Sequence, residues 1–142
     1  MLQIKLLRKD SRAPSRAHAE DAGLDIYHIG SDITIKARAT VKIPTGFSMS
    51  VPEGYVGLIY PRSGMGSKDQ IVLANLVGVI DSTYRGEVFI TMKNNGKDDF
   101  TIANGARFAQ MLINSVVLWQ PQIVDRLPET ERGAKGLGGT GK

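Results

Sequence analysis

Residues 78–86 (GVIDSTYRG) place a carboxylate, Asp81, and an aromatic hydroxyl, Tyr84, three positions apart in a turn bounded by glycines. The apolar run 71–80 leads into this turn, so we expect Asp81 to follow a buried strand and to be held in a dry, fixed position. Such a carboxylate can take a proton from water and direct that water at an electrophile. The alternative is an ordinary turn aspartate that hydrogen-bonds its own backbone, and the segment alone slightly favours it.

Two further segments place charged or hydroxyl side chains beside predicted strands. Asp25 stands between apolar neighbours in AGLDIY, and a buried carboxylate needs a partner such as a cation or a metal-bound water. The loop PRSGMGSK presents Arg62 and Ser63 next to Gly64, and this combination can offer a guanidinium, a hydroxyl and free N–H groups to a phosphate. An exposed turn aspartate and a plain surface turn are the respective alternatives.

Asn75 and the pair Arg107 and Gln110 complete the set of candidate functional residues. Asn75 lies inside an apolar run, where a buried amide must bond either a backbone group or an external partner such as a planar base edge. Arg107 and Gln110 lie three residues apart in a predicted strand, which places them on opposite faces, so at most one need face a given site. An ion pair at an interface or core edge is the alternative for Arg107.

The composition limits the class of protein. The 142 residues are 42% hydrophobic and 23% charged, which is enough for one domain with a core. There is no cysteine, which excludes disulfides and thiolate metal sites and fits a cytoplasmic setting. No segment resembles a membrane span or a secretory signal. The net charge of +4 suggests an anionic partner, but the basic segments lack aromatic residues, so nucleic acid is not expected.

The elements that must position these residues are predicted to be strands. Residues 33–43 alternate apolar and polar side chains with a period of two, and residues 47–51 repeat the pattern. Many short strands between Gly/Pro turns indicate an all-β fold, a jelly roll or β-sandwich. We expect part of the long apolar strand 107–118 to lie against another subunit. The remaining predicted elements are strands 3–7, 55–60, 71–73, 76–80 and 87–93, and a short helical turn near residues 64–69.

The C-terminal segment changes character near residue 125. Residues 129–142 contain five glycines, which neither favour a helix nor fill a sheet. A disordered terminus is the ordinary interpretation. The alternative is a mobile arm that becomes ordered over an anionic ligand, with glycine N–H groups and the Arg132 guanidinium as donors.

Five segments across residues 22–141 resemble, in their order, the five motifs of the trimeric dUTPase family. They are AGLDIY, PRSGMGSK, NLVGVIDSTYRG, RFAQMLI and RGAKGLGGTG. The resemblance implies a homotrimer of jelly-roll subunits, each with a domain at 1–125 and a flexible arm at 126–142. It also implies hydrolysis of dUTP to dUMP and pyrophosphate with Mg²⁺, which limits uracil incorporation into DNA. In the family each active site draws on three subunits, and the third supplies the arm.

The resemblance also assigns roles to residues. Asp81 is similar to the general base, and Tyr84 to the tyrosine that packs on the deoxyribose and excludes a 2′-hydroxyl. Asp25 resembles the acidic residue near the metal, acting through water. Uracil recognition is implied for Asn75 and the backbone around it, including Gly78. Phosphate contacts are implied for Arg62, Ser63, Gly64 and Gln110. Closure over the phosphates is implied for Arg132, Gly138, Gly139 and Thr140, and cover of the base for Leu137.

One position departs from the family pattern. Leu137 stands where the arm usually carries an aromatic residue that stacks on uracil. Because stacking of a base on an aromatic ring contributes roughly 1–3 kcal/mol, we predict a looser lid and weaker substrate binding with the chemistry intact.

Other functions remain open at this point. A dCTP deaminase of the same fold family needs an acid beside the base, and Glu87 is the only acid close to the central segment on its C-terminal side. A non-catalytic trimeric module that engages a regulatory protein is a second alternative, and a basic nucleic-acid-binding domain is a third. Pyrophosphate release from dUTP but not from UTP or dTTP would favour the hydrolase.

Overall fold

The computed structural model describes residues 1–136, which form ten strands and one short helix. The strands are β1 Gln3–Leu6, β2 Leu24–Tyr27, β3 Ile33–Ile35, β4 Thr40–Ser50, β5 Tyr55–Pro61, β6 Ile71–Leu73, β7 Gly78–Ile80, β8 Glu87–Asn94, β9 Phe100–Ile102 and β10 Arg107–Ser115, with helix α1 Ser63–Ser67 between β5 and β6.

Two four-stranded antiparallel sheets make the body of the fold. One has the order β1-β4-β8-β6 and the other β2-β10-β5-β7, while β3 and β9 form a separate pair. Strand β8 shows why the sheets pack face to face, because every second side chain along it, from Val88 to Asn94, is buried. This arrangement confirms the predicted all-β sandwich.

The core lies between the two sheets. Ile43, Phe47 and Ile90 come from the first sheet, and Phe108 and Met111 from the second, and all five are buried. Burying a side chain of this size stabilises a fold by about 1.5–3 kcal/mol, so the core fixes how the sheets, and the loops at their ends, face each other.

The predicted strand 33–43 is divided in two. The backbone turns between β3 and β4, where Arg38 has a left-handed φ of 64° and its Nη1 donates to the Asn95 carbonyl at 2.6 Å. The alternation continues through the turn, so the pattern alone did not reveal it. Strand β3 pairs with β9. Sequence analysis did not predict β9, because a strand of three residues is too short to show an alternation of apolar and polar side chains.

The predicted strand 47–51 is instead the second half of β4. Pro44 stands opposite Phe89 and Ser48 opposite Glu87, so residues 45–47 together oppose the single residue Val88. This irregularity is a β-bulge, which removes the extra residues from the regular ladder of hydrogen bonds.

The C-terminal strand is shorter than predicted. Strand β10 ends at Ser115, and residues 116–136 are exposed, including Val117 and Leu118 of the predicted strand. Cover of this apolar run by another subunit, and a domain boundary at residue 125, stay predictions. Helix α1 agrees with the predicted helical turn, and no helix within residues 1–136 is long and apolar enough to cross a membrane.

Candidate active site

Strands β2, β5 and β10 bring five of the polar candidates to one cleft of about 430 Å³. In the sheet register Gln110 stands opposite Asp25 on one side and Tyr60 on the other, and Arg62 directly follows β5. We call this the arginine cleft; its defining residues are Asp25, Arg62, Ser63, Arg107 and Gln110.

Asp25 is the centre of the arginine cleft. Arg62 Nε donates to its Oδ1 at 3.0 Å, and Arg107 Nη1 donates to its Oδ2 at 3.0 Å. The Asp25 side chain is only 14% exposed, and a buried carboxylate needs a partner. Sequence analysis offered a cation as one possible partner, and the structure provides two, Arg62 and Arg107. Both guanidinium groups are thereby oriented, and N–H groups that these contacts do not use remain available to an anion.

The prediction that Arg107 and Gln110 point to opposite faces is wrong. Arg107 pairs with Tyr27 and Ala109 with Ile26, which leaves Phe108 as an extra, bulged residue. Phe108 and Ala109 are therefore both buried, and the polar residues on either side of them line the same cleft. The sequence did carry a signal of this bulge: Phe108 and Ala109 are two adjacent apolar residues between polar ones, which breaks the period of two.

Gln110 is fixed by backbone on two sides. Its Nε2 donates to the Pro61 carbonyl at 3.0 Å. A Cβ on Gly23 would lie 2.9 Å from Gln110 Oε1, so only glycine leaves room for the amide here. Gly23, which sequence analysis did not single out, therefore shapes the arginine cleft.

The loop before β2 adds two titratable residues that sequence analysis missed. His18 and Asp21 line the arginine cleft, and the His18 N–H donates to Asp21 Oδ2 at 2.9 Å. This backbone hydrogen bond, helped by the His18 ring and the charge of Arg16, holds the pKa of Asp21 below its usual value despite some burial. By contrast, Gly64 lies in α1 and does not line the cleft.

A second candidate region is the 81–87 turn, residues 81–87, which joins β7 to β8. The Tyr84 N–H donates to the Asp81 carbonyl at 3.1 Å, and Arg85 Nη1 donates to the Ser82 carbonyl at 2.6 Å. These bonds close a tight turn. Asp81 itself is exposed, so the expected dry setting is not present in the single chain.

The Tyr84 side chain folds back along the same turn. Its hydroxyl donates to the Glu87 carbonyl at 2.8 Å. A Cβ on Gly86 would lie 2.7 Å from the Tyr84 Cζ, so the glycine is what allows the ring to lie across the backbone. Tyr84 is 41% exposed, so part of this residue is accessible to solvent.

Asn75 and Gly78 line a small pocket of about 140 Å³ together with Ile59 and Phe89. The expectation that Asn75 is buried is wrong, because Asn75 lies in the connection from β6 in one sheet to β7 in the other, where residues 74–76 are exposed. A Cβ on Gly78 would lie 3.2 Å from the Ile59 Cβ, so glycine keeps this wall of the pocket close-packed.

The two regions lie at opposite ends of β5. Ile80 pairs with Gly57, so the next residue, Asp81, stands opposite Val56, while Arg62 is six positions further along the chain. At about 3.3 Å per residue, this places Asp81 and Arg62 about 20 Å apart within the chain.

The arm residues are described only in part. Arg132 donates from Nε to the Lys135 carbonyl and from Nη2 to the Gly136 carbonyl, both at 3.2 Å, within an exposed turn. The predicted arm residues Leu137, Gly138, Gly139 and Thr140 lie outside the described residues.

Comparison with known proteins gives consistent matches over the whole chain. A protein-family model described as dUTPase matches residues 9–141. The chain is 43% identical to the deoxyuridine 5′-triphosphate nucleotidohydrolase of Paraburkholderia phymatum, over 99% of this chain and 98% of that protein.

Two solved structures show the same fold. The dUTPase of Staphylococcus bacteriophage 80alpha with dUpNHpp has a TM-score of 0.90 and 31% identity, covering 100% of this chain and 99% of that one. A D95N mutant dUTPase from phage phi11 of S. aureus, described as revealing the coordination of a structural Mg(II) ion, has a TM-score of 0.81 and 29% identity. The match covers 89% of this chain and 97% of that one.

Proposed function

Since this chain belongs to the dUTPase family and hydrolyses dUTP, we propose that its active site is completed only between subunits of a homotrimer, with Asp81 as the general base. The separation of Asp81 from Arg62 by about 20 Å within one chain carries this proposal. A triphosphate is much shorter than that distance. One subunit must therefore present the 81–87 turn and a second the arginine cleft to the same nucleotide.

The nucleoside binds beside the 81–87 turn. We assign the base to the small pocket lined by Asn75 and Gly78. Rejection of thymine then requires a fit there too tight for a 5-methyl group, and rejection of cytosine requires an amide donor near Asn75 that faces the carbonyl at position 4 of the base. The Tyr84 ring packs on the deoxyribose and excludes a 2′-hydroxyl. Its hydrogen bond to the Glu87 carbonyl keeps it in that position.

The phosphates bind in the arginine cleft of the neighbouring subunit. Arg62 and Arg107 are held side by side by Asp25, so their charges are oriented before substrate arrives. Ser63 and Gln110 add hydrogen-bond donors. Because these groups are in place in the free protein, little reorganisation accompanies the development of negative charge.

The reaction is an in-line displacement at the α-phosphorus. Asp81 takes a proton from a water molecule, and the water oxygen forms a new bond to the α-phosphorus. The bond from that phosphorus to the α–β bridging oxygen breaks, and its electron pair leaves with pyrophosphate. The other product is dUMP. Cover by the neighbouring subunit and the nucleotide provides the dry setting that Asp81 lacks in the single chain.

The Asp25 carboxylate also fits a role beside Mg²⁺. Each of its oxygens accepts one arginine N–H and retains a lone pair that can bind a metal-bound water. Mg²⁺ keeps several waters and binds mainly to substrate phosphates, so one carboxylate of this kind is sufficient. When bound, the ion offsets the charge of the triphosphate.

The arm closes the site from the third subunit. Strand β10 ends where Ser115 pairs with Tyr55, at the Asp81 end of β5, and residues 116–136 could span roughly 70 Å when extended. That reach is enough for Arg132 and residues 137–140 to cover phosphates bound in a neighbouring arginine cleft. We place the arm at residues 126–142 and the enzyme in the cytoplasm.

Deamination of dCTP is not favoured by the surroundings of Glu87. Its carboxylate accepts hydrogen bonds from Arg8 and from the Gly46 N–H, and it lines a different pocket from Asn75. A carboxylate engaged in this way is not placed beside a base bound next to Asn75.

An assay against the common dNTPs and UTP with Mg²⁺, together with a native mass measurement, tests the proposal. We expect pyrophosphate from dUTP alone, and a mass of three chains. Release of ammonia from dCTP would support the deaminase instead, and full activity from a monomer would refute the shared site.

A further inference from the structure

Glu87, the last residue of the 81–87 turn and the first of β8, has a carboxylate held by three hydrogen bonds. Arg8 Nη1 donates to Glu87 Oε1 at 2.8 Å, and Arg8 Nη2 donates to Oε2 at 3.0 Å. The Gly46 N–H donates to Oε1 at 2.9 Å. The Glu87 side chain is 16% exposed, and the bidentate pair fixes its orientation as well as its charge.

The bulge in β4 creates the receptor for this carboxylate. Because residues 45–47 oppose one residue of β8, the Gly46 backbone is free of the ladder and has a φ of 75°. Its N–H points to Glu87, while its carbonyl accepts from the Leu7 N–H at 2.8 Å and Ser11 Oγ at 2.7 Å. A Cβ on Gly46 would overlap Ser11 and Ile29, so this arrangement requires glycine.

The same residue supports Tyr84 through its backbone. The Tyr84 hydroxyl donates to the Glu87 carbonyl, so the ring is tied to a residue whose side chain is held by Arg8 and Gly46. A contiguous chain of contacts thus runs from the N-terminal segment to the Tyr84 ring. No residue of the arginine cleft takes part in it.

We propose that Arg8 and Glu87 are positioning residues for sugar selection, holding the Tyr84 ring where it excludes a 2′-hydroxyl. The inference rests on the proposed packing of Tyr84 on the deoxyribose. Selection between dUTP and UTP is measured as the ratio of their kcat/KM values. A ring that excludes ribose by steric clash can do so only while it is held in a fixed position. Loss of the anchor therefore lets the ring move and admits ribose.

The ionisation of Glu87 agrees with an anchored pair. Partial burial acts to raise the pKa of Glu87, but the hydrogen bonds from Arg8 and the Gly46 N–H and the charge of Arg8 outweigh it and hold the pKa below its usual value. The carboxylate therefore stays charged, and paired with Arg8, to a lower pH than an ordinary glutamate.

Steady-state kinetics of Glu87→Gln and Arg8→Gln on dUTP and UTP test the inference. We expect the dUTP/UTP ratio of kcat/KM to fall roughly three- to tenfold in each variant, with the double variant no worse than the singles because both remove the same anchor. Arg8→Lys retains the charge without the bidentate geometry, so it should lower the dUTP/UTP ratio by less. This milder variant keeps the test valid if the other variants fail to fold.

Asp99→Asn is the matched control. Asp99 likewise accepts from a cationic side chain, Lys36 Nζ at 2.7 Å, and from a backbone N–H, that of Ala37 at 3.0 Å. It lies outside the 81–87 turn, so its loss should lower the melting temperature and leave the dUTP/UTP ratio unchanged.

Tyr84→Leu separates failure of the inference from failure of the proposed function. A reduced ratio in Tyr84→Leu, with a wild-type ratio in the Arg8 and Glu87 variants, would overturn the inference alone. An unchanged ratio in Tyr84→Leu would overturn the sugar contact, and the inference with it.

Discussion

The arginine cleft and the 81–87 turn differ in how much of their chemistry a single chain completes. In the cleft, Asp25 is paired with two guanidinium groups and Gln110 is fixed by backbone. In the turn, the backbone is closed by hydrogen bonds, but within residues 1–136 none holds the Asp81 carboxylate, which is exposed. The groups that we propose for phosphate binding are thus preassembled within one chain, whereas the carboxylate proposed as the base depends, in that proposal, on a neighbouring subunit and substrate for its final environment.

The largest expected effect comes from removing the base while leaving the cleft intact. Asp81→Asn should lower kcat by about 10²–10⁴-fold, because general-base catalysis of this kind contributes that much. Binding of dUpNHpp, measured by calorimetry, should be retained because the arginine cleft is unchanged. Near-wild-type turnover would remove Asp81 from the role of base.

The converse change weakens the cleft and leaves the base. Arg62→Gln removes one oriented guanidinium and one partner of Asp25, and should lower kcat/KM by about a hundredfold. Lys68→Gln, a loss of the same charge just after α1 and outside the cleft, is the control and should change kcat/KM little. Equal effects of the two variants would mean that net charge, rather than the arginine cleft, attracts the phosphates.

A smaller effect is expected from the arm. Leu137→Phe restores an aromatic residue that can stack on the base, and about 1 kcal/mol of stacking would lower KM roughly fivefold with kcat unchanged. An unchanged KM would show that the arm does not cover the base through position 137.

The smallest expected effect is on stability in acid. The pKa of folded Glu87 is depressed, so its contribution to stability is complete above the unfolded pKa and is lost as the pH falls through the folded pKa. Thermal unfolding from about pH 5 to about pH 3 should therefore show a shallower loss of melting temperature in Glu87→Gln than in wild type. Parallel curves would mean that the Arg8 pair adds no pH-dependent stability.

The sequence was sufficient for the family and the sandwich, but not for features set by a partner strand. The order of the five segments indicated the family, and the alternation in residues 33–43 and 47–51 indicated strands. The bulge at Phe108 brought Arg107 and Gln110 to one cleft, contrary to the period of two. A bulge depends on the register of the neighbouring strand, which local periodicity does not contain.

Exposure was also misjudged where apolar runs were interpreted as buried. Residues 71–80 suggested two buried strands, 71–73 and 76–80, yet the chain crosses between sheets at Asn75, and both Asn75 and Asp81 are exposed. An apolar run in a single chain can equally be a surface that a neighbouring subunit covers. The sequence does not distinguish the two, because both remove the same side chains from water in the assembled protein.

Mixed trimers of two impaired variants test the proposed shared site most directly. Asp81→Asn retains an intact arginine cleft, and Arg62→Gln retains an intact 81–87 turn, so co-assembly in equal amounts should restore about a quarter of the sites by pairing the intact halves across an interface. Each variant alone, assembled in the same way, gives the baseline. Recovery of dUTP hydrolysis well above both baselines is the predicted result, and activity no higher than their average would contradict the account.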